Sequence, residues 1–299
     1  MFKSQITRIG LSMINEKPKV TKIIRKVSLG SLFVLFITGL GLVAPASGCD
    51  RWLKTDVLQA DHRLPEFVKR DQYRHPLETL RFFEVEQGMT VVEIWPGKGW
   101  YTEVLAPYLA QGELYAAHFP IDVGVDYYDT NQALFVKKLK AHPSVYSQVQ
   151  IAAFDPKRSQ LTVPDESADR VLTFRNVHNW LRSKSEATAF ELFYKALKPG
   201  GILGVVEHRA PEGMDWETMK TSGYMTEQYV IDLAQKAGFV LEGKSDINSN
   251  AKDTKNHPKG VWTLPPTLRL KEQDREKYLE IGESDRMTLK FRKPKLSSE

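Results

Sequence analysis

The stretch Val91-Val92-Glu93-Ile94-Trp95-Pro96-Gly97-Lys98-Gly99-Trp100-Tyr101-Thr102 constrains this chain more than any other. An apolar run broken by one acidic residue meets a Pro/Gly turn, and a helix is expected to begin near Tyr101 or Thr102. A strand that passes through such a turn straight into a helix is the first half of a βαβ unit. Glycines in the turn let the backbone approach a ligand closely, and the Glu93 carboxylate can accept hydrogen bonds from an amine or a hydroxyl.

The alternation continues along the chain. Strands are expected over residues 90–95, 113–119, 149–154, 168–174, 202–206 and 239–247, with helices over 102–110, 131–140, 186–197 and 225–237. Residues 286–292 are expected to close the sheet as part of an edge hairpin, and the Asn/Lys/Asp-rich segment 248–259 reads as an exposed loop. Trp262-Thr263-Leu264-Pro265-Pro266 cannot be a regular central strand, because proline donates no ladder hydrogen bond. This pattern implies a mainly parallel sheet with helices on both faces, and such sheets bind ligands at the carboxyl ends of their strands. The pocket is therefore expected between the loop after strand one (95–101) and the loop after strand four (176–180), where Asn176 and His178 supply polar groups.

Charge separates the chain into two parts. Of the net charge of +5, residues 1–48 contribute +6 through seven Lys or Arg against Glu16, so residues 49–299 carry −1. A basic balance confined to the N-terminus gives no global argument for nucleic-acid binding. Residues 27–49 hold no formal charge, are apolar from Leu32 to Ile37, and end in Ala44-Pro45-Ala46-Ser47-Gly48-Cys49. Basic segment, apolar run and small residues follow in the order of a secretory signal, with Met13 as an alternative start and a cleavage point after Ala46. Cys49 is the only cysteine, which excludes an intramolecular disulfide, and Ala46-Ser47-Gly48-Cys49 resembles a bacterial lipobox. A lipoprotein, a cleaved soluble protein and an uncleaved membrane anchor all remain open, and each places residues 50–299 outside the cytoplasmic membrane, in the periplasm or anchored facing it.

The segment around Glu93 resembles motif I of the class I S-adenosylmethionine-dependent methyltransferases: Glu93, Gly97 and Gly99 match the acidic residue and the second and third glycines, while Trp95 stands in place of the first. Spaced as that family requires, Gly112-Glu113-Leu114-Tyr115-Ala116-Ala117-His118, Phe154-Asp155-Pro156, residues 164–172 and Leu197-Lys198-Pro199-Gly200-Gly201 resemble its following strands. The Trp-Pro-Gly variant, Asn176-Val177-His178-Asn179-Trp180, Trp262–Pro266 and Gly282–Met287 further resemble a group of exported bacterial proteins called predicted methyltransferases. The resemblance implies a Rossmann-like methyltransferase fold with a mainly parallel seven-stranded sheet, a helical N-terminal extension (49–87), a cofactor-binding half (88–210) and a C-terminal half (211–299).

It also implies roles. Glu93, Trp95, Gly97, Gly99 and Thr102 would surround S-adenosylmethionine at motif I, His118 would face its ribose, Asp155 would accept from its adenine amino group, and Asn176 and His178 would serve the methyl acceptor. Each has a plainer alternative: a helix-capping Glu93, a loop histidine at 118, a turn-starting Asp155, polar caps at 176 and 178, and tryptophans (95, 180, 262) that only pack. Glu207, His208 and Arg209 are further candidates for acid, base or anion clamp. With no HExxH, paired cysteines or GKS/T loop, no metal site is expected. The expected activity is methyl transfer to a small-molecule acceptor. The alternative is a non-catalytic exported binding protein with a degenerate methyltransferase fold, since S-adenosylmethionine is made in the cytosol. Membrane association is expected only through the N-terminus, and oligomeric state is left open.

Overall fold

The computed structural model describes residues 55–295; residues 1–48, read above as an export signal, and Cys49 lie outside the described residues. Eight strands form one sheet: β1 (Thr90–Ile94), β2 (Glu113–His118), β3 (Val149–Asp155), β4 (Gln160–Leu161), β5 (Ala168–Phe174), β6 (Leu197–His208), β7 (Val240–Ser245) and β8 (Arg286–Arg292). Their order is β4-β3-β2-β1-β5-β6-β8-β7. Between them run α1 (Pro65–Val68), α2 (Asp71–Arg74), α3 (Pro76–Phe82), α4 (Thr102–Tyr108), α5 (Asp126–Ala141), α6 (Pro143–Tyr146), α7 (Val177–Ser183), α8 (Glu186–Ala196), α9 (Trp216–Ser222), α10 (Glu227–Lys236) and α11 (Arg275–Ile281). Among the described residues no helix is long and apolar enough to cross a membrane.

Strand alternation divides the core into two layers. Val92 and Ile94 of β1, Val171 of β5, and Leu203 and Val205 of β6 face a cluster built on Trp180, Phe190, Phe193 and Ile231, from α7, α8 and α10. Val91, Leu172, Phe174 and Val206 face the opposite cluster, with Leu80 of α3, Leu105 of α4 and Phe135 of α5. The period of two sends successive side chains to opposite faces, so strands covered on both sides read as near-continuous apolar runs. Helix α10 shows how local sequence fixes a boundary: the Thr226 hydroxyl accepts from the Tyr229 N–H, Val230, Ile231, Leu233 and Ala234 are buried, and Gly238 at φ 102° ends the run.

The Rossmann-like α/β architecture is present, with three departures from expectation. The sheet has eight strands rather than seven, because Asp155-Pro156 turns the chain back and Gln160–Leu161 pair antiparallel with the end of β3. Segment 286–292 is not an edge strand: β8 lies between β6 and β7 and runs antiparallel to both. Segment 248–259 is not simply exposed. The Asn248 side chain is buried and donates to the hydroxyls of Thr79 and Thr288, while buried Asp253 accepts from the Tyr224 hydroxyl and the Asp285 amide. Polar residues close this loop by bonding inward, which their composition cannot distinguish from solvation. The segment 260–263 is a short 3-10 helix, followed by the cis Pro265–Pro266 bond.

Gly204 in β6 permits the closest packing of α3's end against the sheet: a Cβ there would lie 2.7 Å from the Phe83 ring and 2.8 Å from Leu172. Gly204→Ala is expected to cost about 1–3 kcal/mol by overpacking, read as a lower urea midpoint at unchanged slope. Adding Phe83→Leu should recover part of that loss; strictly additive losses would contradict the contact.

Candidate functional site

The chain leaves β1 through Trp95, whose backbone is left-handed at φ 45°. Its amide donates to the Ala117 carbonyl at 2.8 Å, and its indole Nε1–H donates to the Phe154 carbonyl at 3.0 Å. The ring packs against Phe119, Phe154 and Trp180, with centroids 4.8–5.7 Å apart. Two residues on, Gly97 is also left-handed (φ 59°), and a Cβ there would meet no atom within 4 Å. Gly99 differs: it is buried, and a Cβ would approach Phe135 to 3.0 Å. The first glycine therefore faces open space and the second allows helix α5 to pack.

Two cavities open at this point, of about 330 Å³ and about 310 Å³. Trp95, Gly97 and Asn176 wall both of them, which puts the pocket at the carboxyl ends of adjacent strands β1 and β5. The smaller cavity is bounded by Asp155, Phe119, Tyr127, Tyr128 and Asn179. Phe119 and Tyr128 stack at 4.3 Å with nearly parallel planes, an aromatic wall that the sequence did not single out. The Asp155 carboxylate accepts from the Lys157 amide at 3.0 Å and from Arg158 at 2.5 Å, so it also builds the turn into β4.

The larger cavity carries Glu93, His178, His208 and Trp262. Buried Glu93 accepts the Thr102 hydroxyl at 2.6 Å. Burial pushes the Glu93 carboxyl up to about 7, opposed by that hydrogen bond and by Lys138. Thr102 is itself fully buried, so it orients Glu93 and does not line either cavity. His178, in the first turn of α7, has Nδ1 3.0 Å from Glu207, whose carboxylate also accepts the amides of His178 and His208. An ionised carboxylate only accepts, so Nδ1 carries the proton and Nε2 is left with a lone pair. His208 bonds Ser284 at 2.5 Å and is held neutral, its pKa lowered by burial first and then by His178, Arg286 and Arg175.

Several assignments change on this geometry. His118 lines neither cavity. It is fully buried, its Nδ1 accepts the Phe119 amide at 2.8 Å, and Nε2 then donates to the Gly97 carbonyl at 3.3 Å. Burial lowers its pKa to about 4, so the neutral ring props the glycine loop from beneath. Asn176 donates to the Ile94 carbonyl and to Thr173, tying β5 to β1 at the rim. Trp180 is core, whereas Trp95 and Trp262 do wall the larger cavity. Arg209 is taken up by Asp285, Glu227 and Asp246 away from it. His178, Glu207 and His208 offer ligand atoms within 4.8 Å of one another. Their own hydrogen bonds account for the cluster, and the arginines nearby oppose a cation there. The four arginines 70, 74, 175 and 286 are the feature the sequence did not reveal; they come from three distant segments, with Arg70 and Arg74 at the two ends of α2, and meet on the cavity wall.

No family model matches the chain, and no curated protein matches it in sequence. Solved structures do match in fold. The (4+2)-cyclase SpnF aligns at 15% identity over 83% of this chain and 87% of its own, with a TM-score of 0.54. A candidate sarcosine dimethylglycine methyltransferase of Galdieria sulphuraria aligns at 12% identity over 82% and 92%, with a TM-score of 0.53. A SAM-dependent methyltransferase of Aquifex aeolicus aligns at 17% identity over 65% and 92%, with a TM-score of 0.49. The chain has the Rossmann-like α/β fold of the class I S-adenosylmethionine-dependent methyltransferases.

Proposed function

We propose that this protein is an S-adenosylmethionine-dependent methyltransferase for a small-molecule acceptor, and that residues 1–48 direct it out of the cytosol. The observation that carries the reading is Gly97: left-handed, open on its Cα face, and shared by two cavities at the carboxyl ends of β1 and β5. The donor set fits the cofactor. Gly97 permits close backbone approach, Glu93 offers a carboxylate for its ammonium, Asp155 one for its adenine amino group, and Phe119 with Tyr128 a flat apolar wall. When bound, the cofactor supplies an electrophilic methyl group on a sulfonium.

The remaining work falls to the chain. Trp262 and the Pro265-Pro266 strap line the larger cavity, where they would shield the reacting atoms from water. Orientation of the acceptor there is the main catalytic contribution. An O, N or S acceptor that must lose a proton gives it to His178 Nε2, and Glu207 stabilises the resulting imidazolium through Nδ1–H. A second reading, a non-catalytic binding protein, is favoured by His118, because the position matching the family's ribose carboxylate is turned under the glycine loop. The fold neighbour named as a cyclase is in keeping with uses of this scaffold other than methyl transfer.

Calorimetry with S-adenosylhomocysteine separates the two readings. Binding is expected, weakened roughly 10- to 100-fold by Asp155→Ala, which removes a charged acceptor, and also weakened by Gly97→Val, which fills the open face. No heat at millimolar ligand would favour the non-catalytic protein.

Glu93 makes both stability and binding proton-linked. A carboxyl near 7 in the folded state and near 4.5 unfolded takes up a proton on folding, so its contribution favours the fold below pH 4.5 and is lost as pH rises through 7. The loss is about 3 kcal/mol. His118, lowered to about 4, acts in the opposite sense between pH 4 and 6.5, so the readout is the difference between wild type and Glu93→Gln. The variant should gain stability relative to wild type as pH rises from 5 to 8. Because an ammonium ligand favours ionised Glu93, wild-type affinity for S-adenosylhomocysteine should rise about tenfold from pH 6 to 8 and stay flat in the variant.

Fractionation checks the export reading: the mature chain should lack residues 1–46 or 1–48, and Cys49→Ser should release a lipoprotein from the membrane. Intact chain bearing residues 17–26 on soluble cytosolic protein would overturn it.

A further inference from the structure

Five residues on the wall of the larger cavity carry positive charge, namely Arg70, Arg74, Lys98, Arg175 and Arg286, against one carboxylate, Glu93. Behind the wall a single buried carboxylate, Glu283, serves three of the arginines: Arg70 Nε at 2.5 Å, Arg74 Nε at 3.3 Å, and Arg286. These contacts do not exhaust the guanidiniums. Arg70 NH2, Arg74 NH2 and Arg286 Nε are buried with no hydrogen-bond partner among the described residues, and Arg74 and Arg286 are 3% and 2% exposed. Arg175, left-handed at φ 62° immediately after β5, makes no side-chain hydrogen bond or ion pair within 4.0 Å among the described residues. Burial and the neighbouring guanidiniums lower its pKa to about 10, which shows how crowded the positive charge is.

Buried guanidinium nitrogens left without an acceptor are costly, and four guanidiniums that share one carboxylate on a cavity wall match a ligand of opposite charge. The carboxylates that attract Arg175, Glu283 and Glu207, are already bonded to other groups, so its own side chain is left without a hydrogen-bond partner among the described residues. His178 and Trp262 line the same cavity. We propose that the Arg70–Arg74–Arg175–Arg286 cluster is a binding subsite for a doubly charged oxyanion, of the phosphate-monoester class. On the methyltransferase reading, on which this assignment of the occupant rests, the oxyanion belongs to the methyl acceptor and anchors it beside His178. A single carboxylate, such as the one on the cofactor's amino-acid end, would neutralise less of the cluster than a dianion does.

The test uses the full chain, inorganic phosphate and a simple phosphate monoester as probes, with acetate as the singly charged control. Phosphorus NMR line broadening and calorimetry are read for wild type, Arg175→Gln and Arg175→Lys, with and without saturating S-adenosylhomocysteine. Arg175 is the position of choice because its side chain makes no hydrogen bond to the fold among the described residues; circular dichroism and the urea midpoint confirm folding. The expected result is phosphate binding stronger than acetate binding, weakened about tenfold or more in Arg175→Gln, partly restored in Arg175→Lys, and retained when S-adenosylhomocysteine is bound.

Phosphate that fails to bind, or that binds Arg175→Gln as well as wild type, overturns the subsite. Phosphate that competes with S-adenosylhomocysteine, together with an equal loss of both in Arg175→Gln, also overturns it and gives the arginines to the cofactor carboxylate. Phosphate binding without S-adenosylhomocysteine binding sustains the subsite while removing the methyltransferase reading.

Discussion

The turn at the end of β1 is the constraint on which the site depends. Trp95 adopts a left-handed backbone that costs a bulky residue about 1–3 kcal/mol, and two hydrogen bonds hold it there, to the carbonyls of Ala117 and Phe154. With the indole fixed against Phe154 and Trp180, the chain turns away from the sheet, Gly97 faces open space, and cavities form on both sides. His118 completes the arrangement from below by donating to the Gly97 carbonyl. His118 thus supports the loop, and Trp95 shapes the crevice.

The charged groups around the larger cavity divide by how fully each is satisfied. Glu207 accepts two amides and a ring N–H, and that set orients His178 with Nε2 uncommitted. Glu93 has one strong donor, Thr102, and a pKa raised by burial, so its charge depends on what enters the cavity. Glu283 sits among arginines that hold its pKa well below the usual range, although burial alone would raise it. The guanidinium nitrogens left over on that wall make the pocket an attractor for anions.

Much of the scaffold was legible because its signals are local. Strand β5 spans residues 168–174 as read from its apolar run, and α8 begins at Glu186 as expected. Strand β1 and the glycine turn were readable because a buried parallel strand is apolar on both faces and a left-handed turn calls for glycine. Asn176 and Gly97 reach the crevice for the same reason: their places follow from strand ends and topology. The direction of His118 was not legible, since an imidazole after β2 suits a cavity or a buried prop equally well, and only the Phe119 amide decides.

The sequence by itself determined the α/β class, the glycine-loop crevice and the basic, uncharged, small-residue order of the N-terminus, because each is written in contiguous residues. Tertiary structure decided what depends on distant partners. β8 enters the sheet between β6 and β7 because its partners are set by pairing across the fold rather than by chain order. The His178–Glu207 pair joins residues 29 apart, and Glu283 meets Arg70 across 213 positions. An arginine cluster drawn from α2 and its flank, the end of β5 and the start of β8 has no periodicity or spacing for a linear reading to detect; it exists only where the packed sheet and its helices bring those segments to one wall.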